Sequence, residues 1–215
     1  MRIVQTTAPV REPILLDEVK EHLRIESDHE DAAIASFIAA ARAVVEAATG
    51  LYLIDRSVDI YVDRWSELMP QQPNHSRAIS LCDHLVPISG AGSPVKLPVR
   101  PVGAVTSIML VDDGDVEAEW ALENYQLQPG LEPTLHLAVS AAWPTPARDF
   151  GGIKISVTAG FGADWNAVPE TIQQAVKMMV AKLYLCRGDE AVAPANLLKA
   201  SGAGGLLRSF GRVQL

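Results

Sequence analysis

The histidines are the first candidates for acid–base or metal chemistry, and their spacing favours neither. The chain contains His22, His29, His75, His84 and His136, with no His-Glu-x-x-His pair and no acidic partner at a helical interval. A zinc site needs ligands that the sequence or the fold gathers in one place. We therefore expect the histidines to be surface or packing residues and the chain to hold no metal.

An acidic run at 112–115, Asp-Asp-Gly-Asp, is a second candidate, because clustered carboxylates can bind calcium. The EF-hand pattern requires a further Asp or Asn before the glycine and a distal Glu in register, and both are missing here. Asp113-Gly114 is instead a strong hairpin signal. We interpret the run as a turn between strands, with calcium binding as the alternative.

Nucleophilic and phosphate-binding patterns are absent as well. Cys82 and Cys186 match neither a redox pair nor a zinc spacing, so we expect two reduced core residues. The glycines Gly202, Gly204 and Gly205 are not followed by Gly-Lys-Ser/Thr, so a flexible hinge is the better interpretation than a phosphate loop. No Gly-x-Ser-x-Gly elbow occurs. These patterns predict a protein that is not an enzyme and needs no cofactor.

Composition indicates a folded, acidic protein. The chain has 215 residues, 48% of them hydrophobic and 20% charged, and a formal net charge of −8. An acidic surface does not bind nucleic-acid backbone generally, because that affinity comes from clustered Lys and Arg. The start, MRIVQTTAPVREPI, lacks the apolar run of a signal peptide, and no stretch approaches the roughly 20 apolar residues of a membrane span. We expect synthesis in a cytoplasm and no membrane contact.

Helical periodicity dominates the two ends of the chain. It predicts a short helix over 16–23, a long helix over 28–49 that begins with a capping box at Ser27 and Glu30 and ends at Gly50, a third helix that begins at Pro169 and runs to 187, and a short helical piece over 196–199. The two longer helices should pack together through their apolar stripes. The expected inter-helix core is Ile34, Phe37, Ile38, Val44, Val45, Ile172, Val176, Met179, Val180 and Leu183.

The middle of the chain has strand character. Residues 57–62 alternate with period two, and further strands are predicted at 78–82, 95–99, 104–111, 116–120, 125–128, 134–139 and 153–158. Frequent prolines favour antiparallel strands with free edges. The predicted fold class is α+β: a connector-type helical bundle of 1–52 and 165–200, an antiparallel β-rich insertion of 53–164, and an extended C-terminal arm of 201–215.

Two segments together resemble a known family. ILLDEVKEHLRIESDHEDAAIASFIAAARAVVEAATGLYLI (14–54) resembles the opening of the tailed-phage head-to-tail connector (adaptor) family, and VPETIQQAVKMMVAKLYLCRGDEA (168–191) resembles its second signature, which ends in Tyr-x-x-Arg. The segments between them resemble the β insertion of the longer branch of that family. Leu15 stands where the family usually has a capping Thr, and the tail beyond 193 matches nothing recognisable.

The resemblance implies a structural role in the neck of an infectious phage, a prophage particle or a gene transfer agent. It implies a dodecameric ring under the portal protein, a stopper or tail-terminator protein on the far side, and DNA that passes through the lumen without specific binding. It also implies a portal-binding arm, which we assign to Leu206, Leu207, Arg208, Phe210, Arg212 and Leu215. A stopper or tail-completion subunit is the near alternative, and a ligand-binding β-domain protein is the remote one.

Overall fold

The computed structural model describes residues 1–70, 93–139, 141–187 and 194–211. The predicted strand at 78–82 lies outside these ranges. The elements in chain order are β1 Arg2–Gln5, α1 Leu16–Leu23, α2 Asp31–Thr49, β2 Arg56–Val62, β3 Val95–Lys96, β4 Val102–Val111, β5 Glu117–Glu119, β6 Tyr125–Gln128, β7 Thr134–Leu137, β8 Ile153–Ala159, α3 Glu170–Leu185, α4 Pro194–Ala200 and α5 Gly204–Leu207. The α+β class is therefore confirmed.

The chain divides into two compact units. The β unit consists of Met1–Thr6, Ser57–Pro98 and Ala104–Thr158, and the helical unit consists of Thr7–Arg56, Val99–Gly103 and Ala159–Leu215. The expected bundle of 1–52 and insertion of 53–164 differ from this division. Residues 1–6 belong to the β unit because β1 pairs with β2, and 99–103 belong to the helical unit because Tyr52 donates its N–H to the Arg100 carbonyl at 2.8 Å.

Helix α1 has the predicted bounds, and Arg24 ends it in the left-handed conformation, at φ 57°. Helix α2 ends at Gly50, as predicted, with φ 69° and an N–H bonded to the Glu46 carbonyl. The predicted capping box is wrong. Ser27 Oγ accepts the His29 N–H within a local turn, and the Glu30 carboxylate turns away to partners on α3, so α2 begins at Asp31 without a side-chain cap.

The core of the helical unit lies where α2 and α3 pack on each other. The structure places all ten residues of the expected inter-helix core in one cluster. Seven are fully buried, namely Ile34, Ile38, Val45, Ile172, Val176, Met179 and Val180, and Phe37, Val44 and Leu183 pack against them partly buried. Pro169 is the N-cap of α3 rather than its first helical residue. The Gln173 amide caps the preceding turn by donating to the carbonyls of Trp165 and Val168.

The C-terminal segment also enters this core, which corrects the expectation of an extended arm with no core of its own. Ala203 and Leu207 are fully buried in the cluster, and Leu206 and Phe210 pack against it. Gly204 and Gly205 begin α5 rather than forming a hinge. Of the three glycines in the predicted hinge, only Gly202 has a positive φ, 74°. The glycines let α5 approach closely, because Gly204 is itself buried.

The β unit contains two antiparallel sheets, one with the order β1-β2-β8-β4-β5 and one with the order β3-β7-β6. Strand β1 was not predicted, because all its residues are exposed and its partner is distant: Arg2 pairs with Tyr61 and Gln5 with Val58. The turn after β4 is confirmed. Asp112 Oδ1 accepts the N–H groups of Gly114 and Val116, at 2.8 and 2.9 Å, so this carboxylate stabilises the turn.

Four aromatic rings form a cluster in the β unit. Trp65 lies 4.5 Å from Trp143 and 5.8 Å from Trp120 between ring centroids, and Trp120 stacks on Tyr125 at 5.2 Å. The Trp65 indole donates to the Pro144 carbonyl at 2.8 Å. Burial, with Glu119 nearby, raises the pKa of Tyr125 to about 12. These rings supply apolar area that the short strands lack.

Helix α2 is long and apolar enough to cross a membrane by length and composition alone, contrary to the expectation that no stretch of the chain would be. The core helix of a soluble protein passes the same test. Here Ile34, Ile38 and Val45 are fully buried against the rest of the helical unit. We therefore interpret α2 as a core helix.

Candidate interaction surfaces

The two signature segments meet at the start of α2. Tyr184, near the end of α3, donates its hydroxyl to Glu30 Oε2 at 2.6 Å, and the Arg187 guanidinium forms an ion pair with Glu30 Oε1. Arg187 also lies over the Tyr184 ring, 4.1 Å from its centroid. The hydrogen bonds from Tyr184 and Arg187 hold the pKa of Glu30 below its usual value. The Tyr-x-x-Arg motif therefore fixes the acidic start of α2.

Two aspartates near the start of α2 bind α1. Lys20 Nζ lies 2.5 Å from Asp28 Oδ1 and 2.8 Å from Asp31 Oδ1. Hydrogen bonds to these carboxylates raise the pKa of Lys20, and the same ammonium group lowers the pKa of Asp28. The two aspartates of this acidic segment pair with Lys20 on α1, and Glu30 binds Tyr184 on α3. The segment therefore joins α1, α2 and α3.

A buried ion network closes the other end of α2. Glu46 accepts hydrogen bonds from Arg42, from Arg56 and from the backbone N–H of Leu53, and Arg42 also binds Glu12 at 2.8 Å. The Arg56 side chain is only 2% exposed. A buried guanidinium needs such a paired carboxylate, since leaving either charge alone is costly. The network is structural, because its charges are satisfied within the chain.

The C-terminal segment presents a mixed apolar and cationic surface. Leu207 is buried in the core, Leu206 and Phe210 are half-buried, and Arg208 is exposed. A shallow groove lies beside them, lined by Leu198, Lys199, Gly202, Gly204, Gly205 and Arg208. Arg212 and Leu215, the remaining residues of the expected portal-binding arm, lie outside the described ranges. We call residues 198–211 the C-terminal ledge.

Side chains on the outer face of α2 are small. The exposed positions of this helix are Ala32, Ala33, Ala35, Ser36, Ala40, Ala43 and Ala47. These short side chains leave a thin face that another helix could approach closely.

Chemical sites are not apparent in the described part of the chain, where no three His, Cys, Asp or Glu residues are grouped closely enough to hold a metal. His22, His29 and His136 are exposed, and His75 and His84 lie outside the described ranges. Cys186 is a free thiol at the C-cap of α3, half-buried rather than in the core, and Cys82 also lies outside. Sequence reasoning missed the Glu30–Tyr184 contact, because each residue was assigned only to its own motif.

One part of the chain is similar to a known protein family. Residues 13–80 match the sequence profile of the family described as phage gp6-like head-tail connector protein. No curated protein matches the chain by sequence.

Several solved structures are similar over the whole chain. Two match with a TM-score of 0.71 and cover 100% of this chain and 97% of their own: a chain in the neck of an empty gene transfer agent particle, determined with C6 symmetry and 26% identical, and a chain in the virion of a native particle, 29% identical. A chain in the neck of a native particle, determined with C12 symmetry, matches with a TM-score of 0.67 and 28% identity. The profile match over residues 13–80, together with the two signature segments joined at Glu30, makes this part of the chain similar to the phage head-tail connector family.

Proposed function

We propose that this protein is a non-enzymatic structural connector in the neck of a tailed-phage-like particle, of which a gene transfer agent is one example. It forms a ring under the portal and links the DNA-filled capsid to the tail. The observation that carries this proposal is the likeness to gene-transfer-agent neck and virion chains over 100% of the chain, which includes the β unit as well as the helices.

The ring follows from the symmetry with which the similar particle necks were determined, C6 and C12. Neighbours in a closed ring use two different surfaces, one on each side of the subunit. We propose twelve copies, with the capsid side contacting the portal and the tail side contacting a stopper or tail-terminator protein. The net charge of −8 supports passage of DNA through the lumen without specific binding.

The C-terminal ledge is the surface that we propose contacts the portal. Lys199 and Arg208 line its groove, and Leu206 and Phe210 remain half-buried, so one surface offers both charge and apolar area. Residues 191–215 contain no acidic residue, whereas the segment 17–50 is acidic. Charge complementarity between such a surface and its partner sets orientation more than affinity. Residues 198–211 would act as a folded contact surface rather than as part of a long extended arm.

The test is attachment of the connector to portal-bearing heads. The double variant Lys199→Glu/Arg208→Glu should fold with an unchanged melting temperature and join heads at strongly reduced occupancy, measured by quantifying the protein on purified particles. The control is Lys96→Glu in the β unit, whose side chain is 55% exposed. Normal occupancy of the double variant would contradict the portal contact, and imaging that places the protein outside the neck would contradict the connector function.

A further inference from the structure

The five-stranded sheet of the β unit has one edge strand on each side. Strand β1 forms one edge and β5 the other, and no other described strand pairs with either of them. Edge strands present free backbone N–H and C=O groups, and proteins usually protect them with prolines, inward-pointing charges or a covering element. Strand β1 has the sequence Arg-Ile-Val-Gln, in which Ile3 and Val4 are each 39% exposed. Among the described strands, β1 therefore has a partner on one side only.

The two edges share one polar face of the sheet. Arg2 lies over the Tyr61 ring at 4.6 Å, and in the neighbouring strands Asp59 accepts a 2.7 Å hydrogen bond from Ser156. Lys154 then reaches Glu117 on β5 at 3.2 Å. Three separate contacts therefore lie on this face between β1 and β5, and Arg2 at one edge and Glu117 at the other have opposite charge.

The charges at the two edges are complementary. Within the described ranges Arg2 forms no ion pair, since its guanidinium rests on Tyr61, and Glu119 on β5 forms none either. Glu119 lies on the same side of its strand as Glu117, because alternate residues of a strand share a face. One edge of the sheet thus offers a cation and the other an anion, on the same face.

A small cavity beside β1 provides a pocket for a side chain of an added strand. It is lined by Met1, Arg2, Tyr61, Asp63, Arg148 and Phe150, together with Gly151. The Phe150 side chain is 78% exposed. Strand-addition sites combine backbone pairing with pockets that receive alternate side chains of the added strand. The edge of β1 therefore has both parts of such a site.

We propose that β1 of one subunit pairs with β5 of the next subunit in the ring, so that the separate sheets join into one continuous sheet. Arg2 of one copy would face Glu119 of its neighbour. This β1–β5 pairing, which we call the joint, uses the two opposite edge strands of one sheet. That is the head-to-tail geometry that a closed ring requires. This inference rests on the proposed ring and gives the β unit the role of joining neighbours.

Cysteine cross-linking in assembled particles tests the joint. In a chain whose natural cysteines are replaced by serine, Ile3→Cys and Ala118→Cys place thiols on the other face of the two edge strands. Oxidation of particles carrying both changes should link subunits in a ladder of multiples. The control pairs Ile3→Cys with Gln128→Cys, an exposed position on β6 of the other sheet, and should give no ladder.

Charge exchange gives an independent measurement. Arg2→Glu and Glu119→Arg should each lower the yield of the cross-linked ladder by about fivefold per joint, since like charges replace a cross-strand pair. The combined variant should restore the yield, and Glu123→Arg, an exposed control, should leave it unchanged. If normal rings form but oxidation gives no ladder, or if the charge variants leave the ladder yield unchanged, the β1–β5 joint is wrong. The connector function would not be affected by that result. Particles whose neck contains no ring of this protein would overturn both.

Discussion

Tyr184 and Glu30 are 154 residues apart in sequence and are joined by a 2.6 Å hydrogen bond between the Tyr184 hydroxyl and Glu30 Oε2. The contact fastens the end of α3 to the start of α2, with the Arg187 guanidinium on the other carboxylate oxygen. Each of the two segments that resemble connector signatures thus supplies half of one tertiary contact. The acidic residue that sequence reasoning assigned to a helix cap instead holds two helices together.

Replacing Glu30 by glutamine should therefore lower the melting temperature in a pH-dependent way. The folded-state pKa of Glu30 is lowered by its hydrogen bonds to Tyr184 and Arg187, so the ionised carboxylate stabilises the fold. This stabilisation is present above the unfolded pKa of about 4.3 and is lost as the pH falls through the lower folded pKa. Melting curves of both proteins from neutral to acidic pH should converge at the acidic end. A constant difference across the range would contradict the role of the charge, and Glu26→Gln, an exposed position, is the control.

Truncating Leu207 should destabilise the helical unit. Its side chain is fully buried in the core, and removal of a buried leucine side chain to alanine costs about 2–5 kcal/mol. The matched control is Leu185→Ala, at a position 75% exposed, where a change within about 0.5 kcal/mol is expected. Urea unfolding followed by far-UV circular dichroism measures both. Deletion of 201–215 should also destabilise the protein, and an unchanged melting curve after that deletion would show that α5 is dispensable to the core.

Removing the Glu46 carboxylate should be more damaging than removing a surface charge. Glu46→Ala leaves Arg56, whose side chain is 2% exposed, without its carboxylate partner, and breaking a buried pair in this way costs about 3–5 kcal/mol. Lys96→Ala removes an exposed ion pair with Glu132 and should cost at most about 1 kcal/mol. Comparing the free energies of unfolding of the two variants tests the assignment. Equal losses would mean that the Glu46 network is not a buried support.

Tyr125 should titrate later than an ordinary tyrosine. Its pKa is raised to about 12 by burial, and among the described residues none hydrogen-bonds its hydroxyl. Because the folded-state pKa is raised, the neutral tyrosine contributes its full stabilisation below the unfolded pKa of about 10. This stabilisation is lost as the pH rises through the folded-state pKa. Tyrosinate absorbance during alkaline titration should contain one late step that Tyr125→Phe removes. Loss of a step near pH 10 instead would contradict the buried environment.

How much of this fold the sequence predicts can be judged from particular elements. The helices at 16–23 and near 31–49 are readable because an apolar stripe and a glycine stop are local signals, and the described strands from β2 to β8 fall at or close to predicted positions. The C-terminal residues were harder to assign. Leu206, Leu207 and Phe210 lie in a glycine-rich stretch with no clear helical period, so only the core that receives them shows their role.

The sequence by itself determined the helix stripes, the Asp112 turn, the α+β class and the resemblance to head-tail connectors, because each depends on residues close together in the chain. Only the tertiary structure decided that β1 joins the β unit, that Leu207 completes the helical core, and that Glu30 binds Tyr184. Those contacts join residues far apart in sequence. Their free energy comes from desolvation and pairing at the point where distant segments meet, which no local period records.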